Sequence, residues 1–246
     1  ARFWFYSVNG PGETKNYDEK SLDEVNKKVF NPLRNVVSFY EMYNSDEDNY
    51  LYNDAYNPMI AKNTPVLDQW IIVKLIELGN NVTKGLDQYN VLEPSRAIRE
   101  FINELSTWYI RRSRDRFKSN DMHDRYFAIR TTRIVLHNLA VLMAPFTPFI
   151  AEEVFQTVKW NGDTESVHLK DWVGGDIHDE YLLDNNVLQN MKTVRDIVTL
   201  GLEARQKSDI KVRQPLQKIT VHSFKKITKE YLDIIKDELN VKELEL

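Results

Sequence analysis

Five cations and one anion crowd into Trp108–Lys118: Arg111, Arg112, Arg114, Arg116 and Lys118 against Asp115. A dense positive end on a rigid helix, beside the aromatics Trp108 and Tyr109, suits the grip of a polyphosphate. The whole chain carries a formal net charge of −4, so this positive charge is concentrated rather than general. At about 100° per residue, Leu105, Trp108 and Tyr109 mark a buried stripe, and Arg112 and Arg116 fall on it one turn apart. Arg111 and Asp115 are spaced for an i,i+4 pair, and Arg114 points to the far side. Two arginines on a core-facing stripe cannot both stay buried and unpaired, at a cost of several kcal/mol each. Either the stripe leaves the fold there and meets an anion, or carboxylates such as Asp121, Asp124 or Glu152 fold over it. The second route gains a favourable interaction with the helix C-terminus. Trp108 and Tyr109 continue the apolar face and read first as core.

A second basic cluster spans Ala204–Leu216, where Lys211 and Arg213 alternate with Ile210 and Val212. As an extended segment this puts both cations on one face, which suits a phosphate backbone and equally suits a charge-protected strand edge. Other chemistry is missing. No phosphate-cradling glycine loop, zinc-binding H-E-x-x-H or nucleophile elbow is present. The five histidines are dispersed, with His168 and His178 the nearest useful pair, and they read as loop residues rather than metal ligands. The absence of cysteine excludes disulfides, a thiolate nucleophile and a Cys-based zinc site. On its residues alone the chain reads as a binding piece, without metal or catalytic residues.

Helices must position these clusters. Leu22, Val25, Val29, Leu33, Val36, Val37 and Tyr40 give residues 21–44 a helical period, with Pro32 dividing the helix near Asn31. Residues 45–64 turn polar and acidic, as a loop or insertion. Leu67, Trp70, Ile71, Leu75, Leu78, Val82 and Leu86 start a run of long helices. Another begins near Glu93 and ends at Lys118, one covers about Arg125–Met143, and Thr147-Pro148 opens the next as N-cap and first turn. Short connections make an antiparallel helical bundle of 66–160 the economical reading. Ser166–Leu169 reads as short and extended. Beyond it come a helix from Asp184 to Lys207, a strand over Lys218–Phe224, a helix over Ile227–Leu239 and a strand over Val241–Leu246. The expected organisation is mainly α: a connecting segment (1–65), the bundle (66–160), a linker (161–180) and a small, incomplete α/β piece (181–246). The longest apolar run, Ile134–Phe146, is too short to span a bilayer. The opening Ala1-Arg-Phe-Trp lacks a signal peptide and reads as a cut inside a longer protein.

Taken together, these stretches resemble the C-terminal part of a class I aminoacyl-tRNA synthetase of the isoleucyl type. Leu105–Phe117 is similar to the anticodon-domain helix of that family. Leu142–Val154, with its M-A-P-F-T-P, resembles a motif shared with the valyl, leucyl and methionyl relatives, and Ile210–Leu216, I-K-V-R-Q-P-L, resembles the isoleucyl form. Ser166–Trp172 fits between them in the expected order. Ala1–Val8 with Pro11–Glu13 is similar to the segment that follows the catalytic signature lysine loop. The chain lacks both adenylate-forming signatures, H-x-G-H and K-M-S-K-S, and has no room for an editing domain. The resemblance therefore implies a cytoplasmic fragment inactive alone, whose parent joins isoleucine to tRNA with ATP and Mg²⁺ supplied to its missing domains. It implies no cofactor in the fragment and tRNA(Ile) as partner, gripped through Arg111, Arg112, Arg116 and Lys118, with Lys211 and Arg213 as secondary contacts. Asn103, Tyr109 and the Trp160-Asn161 turn are weaker candidates for reading or stacking on bases. The alternatives are the corresponding region of a valyl enzyme, or a helical protein-interaction module without RNA.

Overall fold

Proline and apolar period together decide how the chain starts. α1 (Arg2–Ser7) buries Phe3 and Trp4. α2 (Glu19–Val25) is capped by Asp18, whose carboxylate accepts from the Lys20 and Ser21 amides. α3 (Asn31–Tyr43) carries Pro32 in its first turn. Because Pro32 has no N–H to give the preceding turn, the junction Asn26–Phe30 widens to a π-helical turn rather than breaking. The computed structural model describes residues 1–10, 12–44, 64–173, 186–222 and 227–245. The acidic 45–63 stretch, the Gly174–Asp176 break and His178 lie outside the described residues. Two compact units divide the chain, Ala1–Leu182 and Leu183–Leu246.

The first unit is built on α4 (Val66–Asp87), α5 (Leu92–Glu104), α6 (Met122–Met143) and α7 (Pro148–Val158). Trp70, Ile71, Leu75, Leu78 and Val82 of α4 are buried against α5 and α6, and α7 returns along α6. The turn between α4 and α5 depends on Gly85, whose missing side chain admits Pro94: a Cβ there would sit 2.3 Å from the proline ring. α1 and α3 pack onto these helices, so the first 44 residues share the unit. At Thr147-Pro148 the helix starts as the sequence indicates, but the Thr147 hydroxyl donates back to the Met143 carbonyl instead of capping α7. Ser166–Leu169 is not extended. It folds as a 3₁₀ turn at Val167–Leu169, because the Ser166 hydroxyl accepts from the His168 amide and Glu152 takes the Val167 amide.

The second unit contains α8 (Val187–Lys207), β1 (Leu216–Thr220), α9 (Lys229–Leu239) and β2 (Val241–Glu245). The strands pair in parallel, Leu216 opposite Val241 and Ile219 opposite Leu244, with α9 as the crossover that a parallel pair requires. α8 packs on α9, and Gly201 marks their close approach: a Cβ there would meet Leu239 at 2.6 Å. Asn240 takes the left-handed conformation that ends α9 and turns the chain into β2. The architecture is thus mainly α, with a small two-stranded α/β piece at the end, as expected from the sequence.

Candidate nucleic-acid interface

The basic helix end is not a straight continuation of α5. Regular α-helix stops at Glu104, Leu105–Ile110 forms a π-helical turn, Arg111–Ser113 returns to α, and Arg116–Lys118 tightens to 3₁₀. A π turn spends an extra residue per hydrogen-bonded ring, so the buried face shifts. Ile110 joins Leu105 and Tyr109 in the core, while Trp108 is only half-buried.

Arg116 turns inward. Its guanidinium donates to both oxygens of Asp68, at 3.2 and 2.6 Å, and to Asp124 Oδ1 at 2.6 Å. The Asp68 side chain is fully buried and that of Arg116 is 15% exposed. Tyr109, also fully buried, donates its hydroxyl to Asp68 at 2.6 Å. Burial first, then the Asp68 charge, pushes the Tyr109 phenol well above its ordinary value, so it remains a donor. Burial opposes the charge on Arg116, but Asp68 outweighs it and the guanidinium is held charged above its ordinary range. Of the six residues with a proposed RNA role, Arg116 is thus committed to the fold. Asp124, expected among the covering carboxylates, does cover it; Asp68 was not anticipated.

Three of the other four cations of the stretch face outward. Arg111, Arg114 and Lys118 are exposed and Arg112 is half-buried. Arg111 Nε donates to the Thr107 carbonyl at 2.8 Å, and the Lys118 ammonium lies 5.9 Å from the centre of the Tyr43 ring. Beneath them Phe117 is buried, edge-on to Phe39 and Tyr43 at 4.9 and 5.7 Å. Asp121 caps α6 and completes the reversal that brings Asp124 back to Arg116.

Further along α6, Arg133 stacks 3.8 Å from the centre of the Trp160 ring and donates to the Val158 and Lys159 carbonyls at the end of α7. The turn that follows is fixed from inside by Asp163. This carboxylate accepts from the Trp160 amide at 2.7 Å, meets His137 Nε2 at 3.0 Å and receives Lys170 at 2.5 Å. Asn161 is left exposed at its tip.

In the second unit, Ile210–Gln214 is a turn and not an extended segment: the Gln214 amide donates to the Lys211 carbonyl at 2.9 Å. Lys211 and Arg213 therefore do not line one strand face, although both are exposed. The cause is Arg205. Its buried guanidinium donates to four carbonyls, those of Lys211, Gln214, Leu239 and Asn240, at 2.6–3.1 Å. Asn240 adds a bond from its amide to the Val212 carbonyl at 3.0 Å. Saturating main-chain acceptors from below leaves the turn's cations in solvent.

A family described as the anticodon-binding domain of tRNA ligase matches residues 68–221. The chain belongs to this family. It is 37% identical over 250 residues to an isoleucine–tRNA ligase of Clostridium novyi (strain NT), covering 100% of the chain and 23% of that relative. It is also 37% identical over 225 residues to one of Dehalococcoides mccartyi (strain CBDB1), with 90% and 22% covered. An isoleucine–tRNA ligase of Bacillus thuringiensis (strain Al Hakam) is 34% identical over 238 residues, with 95% and 22% covered. The chain thus spans less than a quarter of the length of these relatives, and the isoleucyl-type resemblance read from the sequence holds across it.

Within this anticodon-binding domain, the matched stretch runs from Asp68 through the basic helix end to the strand after the Lys211 turn. Asn103 is exposed on α5, and Tyr109 is core. Two acidic partners escaped sequence reading. Asp68, Ile72 and Leu75 are spaced four and three apart, so a carboxylate on the apolar stripe of α4 was the available signal. Glu104, buried and 3.0 Å from Lys74, gave the same signal at the end of α5. No group of three His, Asp or Glu side chains among the described residues is arranged to hold a metal ion. No described helix is long and apolar enough to cross a membrane.

Proposed function

We propose that this domain grips the anticodon stem and loop of an isoleucine tRNA, as part of a longer isoleucine–tRNA ligase. The observation that carries the proposal is the basic helix end, where Arg111, Arg114 and Lys118 are exposed on a scaffold pinned by the buried Asp68–Arg116–Tyr109 cluster. A chain of net charge −4 cannot attract RNA as a whole, so the attraction must be local. Arg111 and Lys118 serve the phosphate backbone. Arg112 reaches phosphates or loop bases, and Lys211 and Arg213 add secondary contacts from their turn. Arg116 acts by positioning these groups. In the parent, acting in the cytoplasm, the catalytic and editing domains use ATP, Mg²⁺ and isoleucine to charge the tRNA, while this part holds the opposite end in register. The fragment itself needs no cofactor and is inactive alone.

The test is binding of the chain to unmodified isoleucine and valine tRNA transcripts across a salt series. Preference for the isoleucine tRNA, with affinity falling steeply as salt rises, is the expected result. Equal binding would move specificity outside this chain. Absence of binding to either would refute the grip.

A further inference from the structure

Asparagine followed by glycine occurs twice in the chain, as Asn9-Gly10 and as Asn161-Gly162. The dipeptide has a chemistry of its own. The asparagine amide carbon can close a five-membered ring with the next main-chain nitrogen, and glycine offers no side chain to obstruct the approach. The fold treats the two copies differently. At the first, both reacting groups are engaged: the Asn9 side-chain amide donates to the Thr14 carbonyl at 3.0 Å, and the Gly10 amide donates to Glu13 Oε2 at 3.3 Å. Asn9 and Gly10 are also half-buried.

The second copy is open. The Asp163 amide donates to the Trp160 carbonyl at 3.1 Å, closing a four-residue turn with Asn161 and Gly162 at its centre. Such a turn uses only the outer carbonyl and the outer amide. Among the described residues, neither the Asn161 side chain nor the Gly162 amide has a hydrogen-bond partner, and both residues are exposed. Gly162 has a φ of +91°, and a Cβ built there would meet nothing within 4 Å, so the tip has room to rotate. The flanks are held: Arg133 covers Trp160, and Asp163 is bonded to His137 and Lys170.

We propose that Asn161 is a site of spontaneous deamidation, selected by the fold over Asn9. The Gly162 nitrogen, after losing its proton to a solvent base, attacks Asn161 Cγ. A C–N bond forms, the Cγ–Nδ2 bond breaks, and ammonia leaves with a proton from solvent, so that a five-membered imide remains. Water then adds to one of the two imide carbonyls. Opening at Cγ gives aspartate on the original main chain. Opening at the Asn161 main-chain carbonyl routes the chain through Cβ and Cγ as isoaspartate. Nothing is oxidised or reduced; an amide and water become a carboxylate and ammonium. The aged chain is one charge more negative than its original −4, at a turn beside the Arg133–Trp160 stack. The reaction does not depend on RNA binding.

The experiment ages the intact chain in warm, mildly alkaline buffer, folded in one series and unfolded by guanidinium chloride in another. Two tryptic peptides are followed by mass, Trp160–Lys170 and Phe3–Lys15, each with a single asparagine. Dividing each folded rate by its unfolded rate removes the influence of neighbouring residues. This ratio should stay near one for Asn161 and fall below about one tenth for Asn9, because two hydrogen bonds must open before Asn9 reacts. The product in Trp160–Lys170 should separate into aspartyl and isoaspartyl isomers. Asn161→Gln, whose longer side chain requires a larger ring, should abolish the mass gain in that peptide and leave Asn9 unchanged. Equal ratios at the two sites would overturn selection by the fold. A ratio for Asn161 as low as that expected for Asn9, or a mass gain that persists in Asn161→Gln, would overturn the site itself.

Discussion

Arg116→Ala is the substitution that most sharply separates structure from recognition in the basic helix end. Asp68 is fully buried and depends on Tyr109 at 2.6 Å and on two bonds from Arg116 at 3.2 and 2.6 Å. Deleting the guanidinium leaves a buried carboxylate with one neutral donor and releases Asp124 from the reversal. Breaking such a pair from one side costs about 3–5 kcal/mol. That is a large share of the roughly 5–15 kcal/mol that holds an ordinary domain together. At about 2–4 °C per kcal/mol for a chain of this size, the melting temperature should fall by roughly 6–20 °C. Urea unfolding gives the loss directly, with an unchanged slope showing that the folded state remains intact. In the cold, where the variant stays folded, its RNA salt slope should equal that of the wild type. D68N/R116M should recover much of the loss, because a neutral, well-packed replacement removes the stranded charge. A loss below about 1 kcal/mol, combined with a salt slope reduced by about one, would refute the reasoning and make Arg116 a phosphate contact.

Arg112→Ala should weaken tRNA binding and flatten its salt dependence by about one unit; an unchanged slope would make Arg112 structural. Arg205→Met leaves four carbonyls without their donor and should cost about 2–4 kcal/mol. Amide exchange at Lys211–Gln214 should quicken well before the rest of the second unit, and unaltered protection there would contradict the latch. Gly85→Ala forces a methyl against Pro94 and should destabilise by about 1–3 kcal/mol, read as a lower urea midpoint. For pH, burial holds His137 below its ordinary value despite the opposing Asp163 charge, so the unfolded chain takes up that proton first. Stability is therefore full above about pH 6.5 and falls as the pH drops below it toward the folded value; His137→Gln should flatten that fall. Asp163 titrates lower still. Burial alone would raise it, but bonds from Lys170 and the Trp160 amide outweigh burial, so its contribution is lost only below about pH 4.

Much of the architecture was legible because long helices write a strong period. Trp70, Ile71, Leu75, Leu78 and Val82 could only be one face of a helix, and Pro32, Pro94 and Pro148 marked first turns. The parallel strand pair with its crossover helix was legible as strand, helix, strand. Failures came where a side chain competes with the main-chain pattern. Ser166 and Glu152 capture amides and fold an apparently extended Val167–Leu169 into a turn. Arg205, buried at the end of the preceding helix, captures the Lys211 and Gln214 carbonyls and bends the alternating Ile210–Gln214. The π turn at Leu105–Ile110 shifted a wheel drawn on a uniform α-period, so Trp108 fell outside the core and Ile110 within it. At the site, charge density singled out the basic helix end but left carboxylate pairing within the fold and contact with an anion both open. The division of labour among the cations was not legible, because it depends on Asp68, 48 residues before Arg116.

That division has a physical logic. Five cations in eleven residues repel one another, and a helix end alone offsets only a fraction of a kcal/mol to about 1 kcal/mol of such repulsion. The fold places two carboxylates on Arg116, Asp68 beneath and Asp124 beside it, so the cation nearest the core is neutralised twice. What remains at the surface is Arg111, Arg114 and Lys118, with Arg112 at the edge of the core, spaced around a buried anchor. On the proposed RNA-binding reading, a phosphate backbone approaching this end meets its exposed cations, whereas Arg116, held by Asp68 and Asp124, gains nothing from leaving them. RNA binding should therefore tighten the exposed cations without disturbing the cluster, and amide exchange in the Tyr109–Arg116 segment should slow at its outward positions only. Opening of the Asp68 cluster on binding would mean that the RNA competes for Arg116 itself, and the anchor would have to be assigned as a switch.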